Sequence, residues 1–393
     1  MVLRRDRQRR ITCHPGNPGT LGTVSTTSTP RPKPHISALP LYETGASEGT
    51  GTDEPVRLAS NESSFGPSPD AARVYHELTT SLHRYPEAGG DALRDEIADV
   101  HGIEPARIFG SNGSDHIIYL LLSTYAGVGD EVVVSQYGFF RNTLSVQACG
   151  ATPIVAEEVD FTTSVDALLA AVTDRTRIVL VANPNNPTGT YVPAAELRRL
   201  ADGLPSRVLL IVDAAYAEYV TEPDYSAGIE LVQRAENVVM TRTFSKAYGL
   251  AGLRLGWAYG SASIVDAYER ARLPYPVSGP AQVAAVAALR DHAHLREVVA
   301  RTVRGRAWVR MRLDRLGLEP LPSVANFNTC RFGPSGSGAA RRAVASLAAR
   351  NILVRPLVPA GLPDFVRITV GTEAENRALV EGLAAFLGDA PSP

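Results

Sequence analysis

One lysine is conspicuous because the chain otherwise almost excludes this residue type. Lys33 and Lys246 are the only lysines among 39 basic residues. Arginine stays protonated, whereas a desolvated lysine can lose its proton and attack a carbonyl carbon to form a Schiff base. Lys246 lies in the run T-F-S-K-A-Y-G-L-A-G-L-R, residues 243–254. A nucleotide bias towards arginine would also leave a stray surface lysine, so the neighbouring motifs must decide between the two interpretations.

Two groups of residues could bind a phosphate. Gly113, Ser114 and Asp115 follow a predicted strand and begin a predicted helix. Free backbone N–H groups and the helix dipole attract an anion at such a position, although the same residues could simply cap the helix. Ser245 and Arg254 flank Lys246 and offer a hydroxyl and a guanidinium, both suited to phosphate oxygens. The sequence therefore predicts an anion site near the lysine.

Three further residues could hold a basic ring. Asp213 follows the apolar run V-L-L-I-V, and an acid at the end of a buried strand needs a cationic partner such as a protonated ring nitrogen or an arginine. Asn186, in the loop N-P-N-N-P-T-G, and Tyr216 could bind a ring oxygen, although turn formation would explain most of that loop. Pyridoxal phosphate combines a phosphate, a basic ring nitrogen, a ring oxygen and a reactive carbonyl carbon. The motifs together predict this cofactor, with Lys246 as its covalent anchor.

Each of these motifs follows a predicted strand. From residue 107 onwards, short β-rich runs alternate with segments of helical periodicity. The predicted strands are 107–110, 131–135, 152–156, 177–182, 208–212, 237–241 and 255–259. Such alternation predicts an α/β fold with a mainly parallel seven-stranded sheet covered by helices on both faces. Sheets of this kind bind ligands at the carboxyl ends of their strands.

The length and the change of composition along the chain predict more than one domain. At 393 residues the chain exceeds the size at which a single core stops growing. Beyond residue 274 we expect long helices over 279–317, strands near 326–332, 353 and 365–370, and a terminal helix from Glu373. The predicted parts are a disordered basic tail (1–34), an arm with a linker helix (35–84), a large cofactor-binding domain (85–275) and a small α+β domain (276–393).

Charge and cysteine content argue against several function classes. The net charge is −2, and residues 1–33 carry seven basic residues and one acidic residue, so the folded body is acidic and offers no surface suited to nucleic acid. Three scattered cysteines fit neither a disulfide framework nor a metal site, which favours a cytoplasmic location. No apolar run reaches the roughly 20 residues that a membrane span needs. No apolar segment follows the basic N-terminus, so we expect no secretory signal.

Taken together, the motifs resemble those of the fold-type I pyridoxal-phosphate aminotransferases, and most closely the histidinol-phosphate aminotransferase family. The resemblance covers roughly residues 35–388. The motifs that carry it are L-A-S-N-E-S-S-F-G-P-S-P (58–69), R-Y-P-E (84–87), N-G-S-D (112–115), N-P-N-N-P-T-G (183–189), T-F-S-K-A-Y-G-L-A-G-L-R (243–254) and G-L-P-D-F-V-R-I-T-V-G-T (361–372). It implies a fold with a large sheet domain and a smaller C-terminal domain.

The resemblance also implies roles at the cofactor. Lys246 would hold pyridoxal phosphate as an internal aldimine and then shuttle a proton during the reaction. Asp213 would pair with the ring nitrogen, while Asn186 and Tyr216 would bind the ring oxygen. The remaining implied contacts are Gly113, Ser114, Asp115, Ser245 and Arg254 to the phosphate, Phe140 stacked on the ring, and Tyr85 reaching the cofactor phosphate of the neighbouring subunit in an obligate homodimer. No metal is implied.

For the substrates, the resemblance implies an amino donor and a 2-oxo acid acceptor, with histidinol phosphate and 2-oxoglutarate in histidine biosynthesis as the first expectation. Arg367 matches the arginine that binds an α-carboxylate, and Arg355 is placed to meet a distal anion. The other implied substrate contacts are Asn61, Phe65 and Asn186.

Several positions depart from the family pattern and leave the amino donor open. Ala214 and His116 stand where glutamate is usual, Ala360 stands where tyrosine is frequent, and Phe65 and Phe140 lack the hydroxyl of tyrosine. Fewer hydroxyls would weaken phosphate binding, so an aromatic amino acid or a specialised metabolite is the alternative donor. A decarboxylase of the same fold is a remote alternative. Arg367 argues against it, because it neutralises the carboxylate that would have to leave.

Overall fold

The computed structural model describes residues 29–42 and 54–388. The strands are β1 (Val56–Leu58), β2 (Ile108–Ser111), β3 (Glu131–Ser135), β4 (Thr152–Ala156), β5 (Glu158–Val159), β6 (Thr162–Thr163), β7 (Thr176–Ala182), β8 (Leu209–Asp213), β9 (Val238–Thr243), β10 (Gly256–Tyr259), β11 (Glu319–Pro320), β12 (Phe327–Arg331), β13 (Ile352–Leu357) and β14 (Leu362–Thr369). The helices are α1 (Pro34–Ser37), α2 (Pro69–Glu77), α3 (Asp91–His101), α4 (Ser114–Tyr125), α5 (Phe140–Ala148), α6 (Val165–Ala170), α7 (Ala194–Gly203), α8 (Ile229–Arg234), α9 (Ala262–Ala271), α10 (Gly279–Arg290), α11 (His292–Arg315), α12 (Ala339–Ala349) and α13 (Glu373–Gly388). Most of the predicted tail, residues 1–28, lies outside the described residues.

Seven strands form a large sheet in the order β2-β10-β9-β8-β7-β3-β4. Strand β10 runs antiparallel to both of its neighbours, and the other adjacent pairs are parallel. The predicted mainly parallel sheet is therefore confirmed, and its strand bounds differ from the predicted ones by no more than two residues. The agreement is close because strands of a parallel sheet covered on both faces are near-continuous apolar runs, which the sequence displays directly.

Helices cover both faces of this sheet. Along β7, Val179 and Val181 belong to one apolar core, and the alternate residues Ile178 and Leu180 belong to the other. Strand geometry requires this arrangement, because successive side chains point to opposite faces. Helix α10, although it follows Pro274, contributes its alanines to the first of these cores. Among the described residues, no helix is long and apolar enough to cross a membrane.

A second sheet of five strands has the order β1-β13-β14-β12-β11. Its edge strand β1 comes from the front of the chain and pairs in parallel with β13, so that Val56 lies opposite Ile352. Helices α11, α12 and α13 pack on this sheet around an apolar core. The domain boundaries predicted at residues 84 and 275 stay a prediction.

The carboxyl ends of the large-sheet strands meet at one edge. Strand β8 ends at Asp213, and β9 ends at Thr243, three residues before Lys246. Gly256 of β10 pairs with both Thr243 and Ser111, so the end of β2 lies beside the end of β9. The motifs that the sequence separates by more than a hundred residues are thereby brought to the same place.

Candidate active site

A cavity of about 410 Å³ opens at this edge, between the large sheet and the five-stranded sheet. Its lining includes most of the residues that the sequence predicted for a site, drawn from eight different segments of the chain. These lining residues are Asn61, Ser114, Asp115, Phe140, Asn186, Asp213, Tyr216, Ser245, Lys246, Arg254, Arg355 and Arg367.

Lys246 is half-buried, with its amine directed into the cavity. The Nζ atom donates a hydrogen bond to the backbone oxygen of Ser60 over 3.2 Å and lies 5.9 Å from the centroid of the Tyr216 ring. Desolvation lowers the pKa of the amine to about 8, and the positive charge of Arg367 acts in the same direction. On the order of a tenth of the amine is therefore neutral at pH 7, far more than for an ordinary lysine, and the neutral amine is the nucleophile.

Asp213 is buried, with 6% of its surface exposed. Its Oδ1 atom accepts a hydrogen bond from the Thr241 hydroxyl over 3.1 Å, and the backbone N–H of Ala215 also donates to the carboxylate. Desolvation, followed by repulsion from Asp115, raises the pKa of Asp213 to about 7. The carboxylate is thus held in place but lacks a strong cationic partner among the described residues. A cation in the cavity would supply that partner.

An anion cradle lies beside Lys246. Arg254 donates from Nη1 to the Ser245 hydroxyl over 3.3 Å, and helix α4 begins at Ser114 with its free N–H groups towards the cavity. Gly113, just before this helix, has a φ of 90°, and a Cβ atom there would lie 2.8 Å from Nη2 of Arg254. Glycine is needed for the guanidinium to approach the helix start. Together these groups offer a hydroxyl, a guanidinium and the positive end of a helix.

Asn186 and Arg367 contact each other across the cavity wall. Nη1 of Arg367 donates to Oδ1 of Asn186 over 2.6 Å, and Nη2 donates to the backbone oxygen of Ala59 over 2.7 Å. Desolvation lowers the pKa of the Arg367 guanidinium from its usual value. Nearby, the Tyr216 hydroxyl accepts a hydrogen bond from Asn61 Nδ2 over 3.0 Å. These contacts fix the planes of the amide and the guanidinium.

The far end of the cavity combines cationic and apolar groups. Arg355 lies opposite Arg367 in the antiparallel register of β13 and β14, so both guanidinium groups reach the same cavity. The Arg355 guanidinium lies 5.9 Å from the centroid of the Tyr42 ring, and the Tyr42 ring stands edge-on to Phe139 at 6.5 Å. Further along, Leu357, Pro359 and Ala360 line the wall.

Three predicted site residues do not line this cavity. Gly113 lies behind the anion cradle. Tyr85 is 82% exposed and stacks on Tyr275, with ring centroids 4.6 Å apart. Phe65 lies under the guanidinium of Arg301, 4.4 Å from it. The roles predicted for these residues stay predictions.

The sequence did not single out two residues that the structure places at the site. Tyr42 lies in the segment L-P-L-Y, and nothing in that segment points to the cavity. Thr241 could have been found, because it is a hydroxyl in the otherwise apolar run V-V-M-T of β9. Its register partner on β8 is Asp213, whose carboxylate it bonds.

The residues present fit pyridoxal phosphate. The decisive observation is Asp213, a carboxylate that faces the cavity and whose pKa is raised by desolvation and by the charge of Asp115. A protonated ring nitrogen would satisfy this carboxylate, and the cradle of Ser245 and Arg254 would receive a phosphate. Lys246 offers an amine at the same edge with a lowered pKa.

Sequence comparison gives the class. Residues 53–383 match the family model described as aminotransferase class I and II, and the chain belongs to this family of pyridoxal-phosphate-dependent enzymes. Among curated relatives, the chain is 48% identical over 358 residues to the histidinol-phosphate aminotransferase of Rhodospirillum centenum, covering 91% of this chain and 99% of the relative. It is 45% identical over 356 residues to the enzyme of that name from Maricaulis maris, covering 91% and 98%.

Solved structures agree with this assignment. The histidinol-phosphate aminotransferase of Sinorhizobium meliloti, solved in complex with pyridoxal-5'-phosphate, superposes with a TM-score of 0.84 at 29% identity and covers 93% of this chain and 99% of its own. The aspartate aminotransferase of Thermus thermophilus solved with maleate has a TM-score of 0.75 at 22% identity, which indicates a shared fold. The predicted fold-type I architecture, the cofactor and the aminotransferase activity are thus confirmed.

Proposed function

We propose that this enzyme transfers the amino group of histidinol phosphate to 2-oxoglutarate, a step of histidine biosynthesis. The observation that carries this proposal is the pair Arg355 and Arg367, which lie opposite each other on neighbouring strands and line one cavity. Two guanidinium groups suit the two carboxylates of 2-oxoglutarate, and either can meet the single phosphate of the donor. The names of the curated relatives support the same substrate.

The proposed roles at the cofactor follow from the contacts of each residue. Asp213 would hold its charge against the ring nitrogen, with Thr241 fixing the carboxylate. Asn186 and Tyr216 would bind the ring oxygen, and Phe140 would stack on the ring. Gly113, Ser114, Asp115, Ser245 and Arg254 would form the phosphate site. The bound cofactor supplies an electron sink that stabilises negative charge at the substrate carbon.

Lys246 is proposed to act twice, first as the anchor of the cofactor and then as a general base and acid. Its amine lines the cavity and donates to the backbone oxygen of Ser60, so the proton it carries is presented at one place. An amine whose pKa is near 8 exchanges protons efficiently close to neutral pH. Arg367 would orient an α-carboxylate, and Asn61 and Phe65 are proposed as further substrate contacts.

An aromatic amino acid is the second candidate donor. The observation in its favour is the apolar lining at the far end, where Phe139 and Phe140 carry no hydroxyl and Leu357, Pro359 and Ala360 offer no hydrogen-bond donor from their side chains. An aromatic ring would bury apolar surface there, whereas a phosphate would depend mainly on Arg355.

A half-reaction screen separates the two donors. The purified holoenzyme is mixed with histidinol phosphate, phenylalanine or tyrosine, and the loss of the visible absorbance of the bound cofactor is followed. We expect histidinol phosphate to react with the highest second-order rate constant. A higher constant for phenylalanine or tyrosine would replace the proposed donor, and no reaction with any of the three would point to a different metabolite.

We also propose a homodimer with Tyr85 contributing to the partner's cofactor site. The support is the exposed stack of Tyr85 on Tyr275, near which in sequence lie Leu82 and Leu273, and all four residues are between 42% and 82% exposed. Such a cluster is costly in water unless another surface covers it. Sedimentation should give a dimer. Tyr85→Ala should weaken cofactor retention, while the loop that carries Lys246 keeps its structure.

A cytoplasmic location is proposed because Cys149 and Cys330 are both free thiols.

A further inference from the structure

A short hairpin outside the cavity contains an unusual carboxylate. Strands β5 and β6 pair through Glu158 and Thr163, and the turn between them holds Asp160 and Phe161 at positive φ. The Glu158 side chain is directed inwards, where desolvation raises the pKa of its carboxyl group. No arginine or lysine of the described residues forms an ion pair with it. Burying an unpaired carboxylate is costly, so some other benefit must maintain this residue.

Three donors converge on one oxygen of this carboxylate. Oε1 of Glu158 accepts from the Ser135 hydroxyl over 2.6 Å, from the backbone N–H of Tyr137 over 3.2 Å and from Asn185 Nδ2 over 3.3 Å. The other oxygen, Oε2, is buried and has no hydrogen-bond partner among the described residues. All three hydrogen bonds therefore depend on a single acceptor, Oε1 of Glu158. Ser135 ends strand β3, and Tyr137 lies in the loop that leads to Phe139 and Phe140.

Asn185 connects this acceptor to the site, because the next residue is Asn186. Its Nδ2 atom also lies 3.2 Å from the backbone oxygen of Tyr137 and 3.0 Å from the Thr188 hydroxyl oxygen, so its two hydrogens are shared among three acceptors. Its backbone N–H donates to the oxygen of Thr190 over 2.8 Å. These contacts fix the position of Asn185. Because Asn186 is the next residue, they also set the direction in which its side chain enters the cavity.

The hairpin reaches the five-stranded sheet as well. The Phe161 ring lies 5.7 Å from the Tyr137 ring and 5.1 Å from the Phe365 ring, between centroids. Phe365 precedes Arg367 by two residues on β14, so the two side chains share a face of that strand. The Thr190 hydroxyl donates to the backbone oxygen of Phe161 over 2.7 Å. The same hairpin therefore contacts both sequence segments that meet in the bond between Asn186 and Arg367.

We propose that Glu158 is a positioning residue, which sets the Asn186–Arg367 pair for substrate binding by anchoring Asn185 and the loop before Phe139. The proposal rests on the proposed function, in which Asn186 binds the ring oxygen of the cofactor and Arg367 orients the α-carboxylate of the substrate. A carboxylate is effective here because one oxygen accepts at once from the Ser135 hydroxyl, the Tyr137 N–H and the Asn185 amide, and so joins three separate segments. Displacement of a positioned binding group by about 1 Å can change a rate by up to a hundredfold.

The test compares five variants of the holoenzyme with the parent enzyme. Glu158→Ala and Asn185→Ala should each lower kcat/KM for 2-oxoglutarate about tenfold, mainly through KM, and the double variant should be no worse than either single one. Glu158→Gln keeps an oxygen acceptor and should stay within about threefold of the parent enzyme. Glu157→Ala, at the exposed neighbouring position, is the matched control and should behave like the parent.

A second readout separates positioning from general damage. The pH midpoint of the cofactor's visible absorbance should shift in Glu158→Ala in the same direction as in Asn186→Ala, while Glu157→Ala leaves it unchanged. If Glu158→Ala does not fold, Asn185→Ala serves as the test instead. It removes the other partner of the same hydrogen bond and should shift the midpoint in the same way. Independent effects that multiply in the double variant would overturn the proposal, as would an unshifted midpoint. An inactive parent enzyme would instead refute the proposed function.

Discussion

Arg367 and Asn186 form a hydrogen bond of 2.6 Å that joins the five-stranded sheet to the loop after β7. The guanidinium is also tied to the backbone oxygen of Ala59, yet its Nε atom is buried without a partner among the described residues. A guanidinium with unused donor capacity, fixed in plane, is preorganised for a planar carboxylate. The pair therefore links the side of the site that we assign to the cofactor with the side that we assign to the substrate.

Replacing the lysine tests the anchor. Lys246→Ala should remove covalent attachment of the cofactor and lower kcat on the order of 10³-fold or more, because the nucleophile and the proton carrier are lost together. Borohydride reduction followed by mass spectrometry measures the attachment. Lys33→Ala, at the only other lysine, is the control and should keep both attachment and activity. A reduced cofactor adduct persisting on the Lys246→Ala protein would show that the anchor lies elsewhere.

A comparison of amino donors of different charge should distinguish the roles of Arg355 and Arg367. Arg367→Lys keeps a positive charge but loses the planar fork, so KM for glutamate and for phenylalanine should rise on the order of tenfold or more. Arg355→Ala should raise KM for glutamate, whose distal carboxylate it would meet, and leave phenylalanine almost unchanged. Steady-state kinetics with the two donors measures this split. Equal effects of Arg355→Ala on both donors would contradict a distal role.

Asp213 should make the cofactor-free protein less stable as the pH rises. Burial lifts the pKa of this carboxyl from 3.8 to about 7, so the folded state binds the proton more tightly than the unfolded state does. Below about pH 4 the Asp213 carboxyl is protonated in both the folded and the unfolded state, so it does not reduce the stability of the fold. Between about pH 4 and 7 the stability contribution of the bound proton disappears, on the order of 4 kcal/mol.

The variant Asp213→Asn removes this dependence. Without cofactor, its midpoint temperature should exceed that of the parent protein at pH 8 and approach it near pH 4, as scanning calorimetry can measure. With cofactor, the order at pH 8 should reverse, because the ring nitrogen loses its carboxylate partner, and activity should fall. A cofactor-free variant that is less stable than the parent at every pH would show that the Thr241 contact outweighs the burial of charge.

Two N-terminal deletions test the arm. Removing residues 1–34 should leave kcat, KM and the oligomeric state unchanged, because none of these residues lines the cavity in the part of the chain that the structure describes. Removing residues 1–42 also takes away Tyr42, whose ring lies between Arg355 and Phe139, and should raise KM for the donor severalfold. Equal kinetics of the two shortened proteins would exclude a role for Tyr42.

Local patterns explain how far the sequence could predict this structure. Apolar runs identified the seven strands, and the residue types of Lys246, Asp213 and Arg254 identified the chemistry, because each follows directly from one segment. Tyr42 and Glu158 act through contacts with distant segments, and their own surroundings in the sequence resemble an ordinary arm and an ordinary turn. Long-range register, such as that of Arg355 with Arg367, exists only once the sheet has formed.

The edge strand β1 also fixes an order of events during synthesis. All seven strands of the large sheet have been made by Tyr259, so Asp213 and Lys246 can meet while the ribosome is still adding α10 and α11. Ala59, just after β1, must wait for Arg367, 308 residues later. The partner strand of β1 is β13, which begins at Ile352, and until β13 is made β1 exposes its edge. A truncated chain would therefore have a complete cofactor-binding sheet, an open substrate side and an unpaired strand available to chaperones.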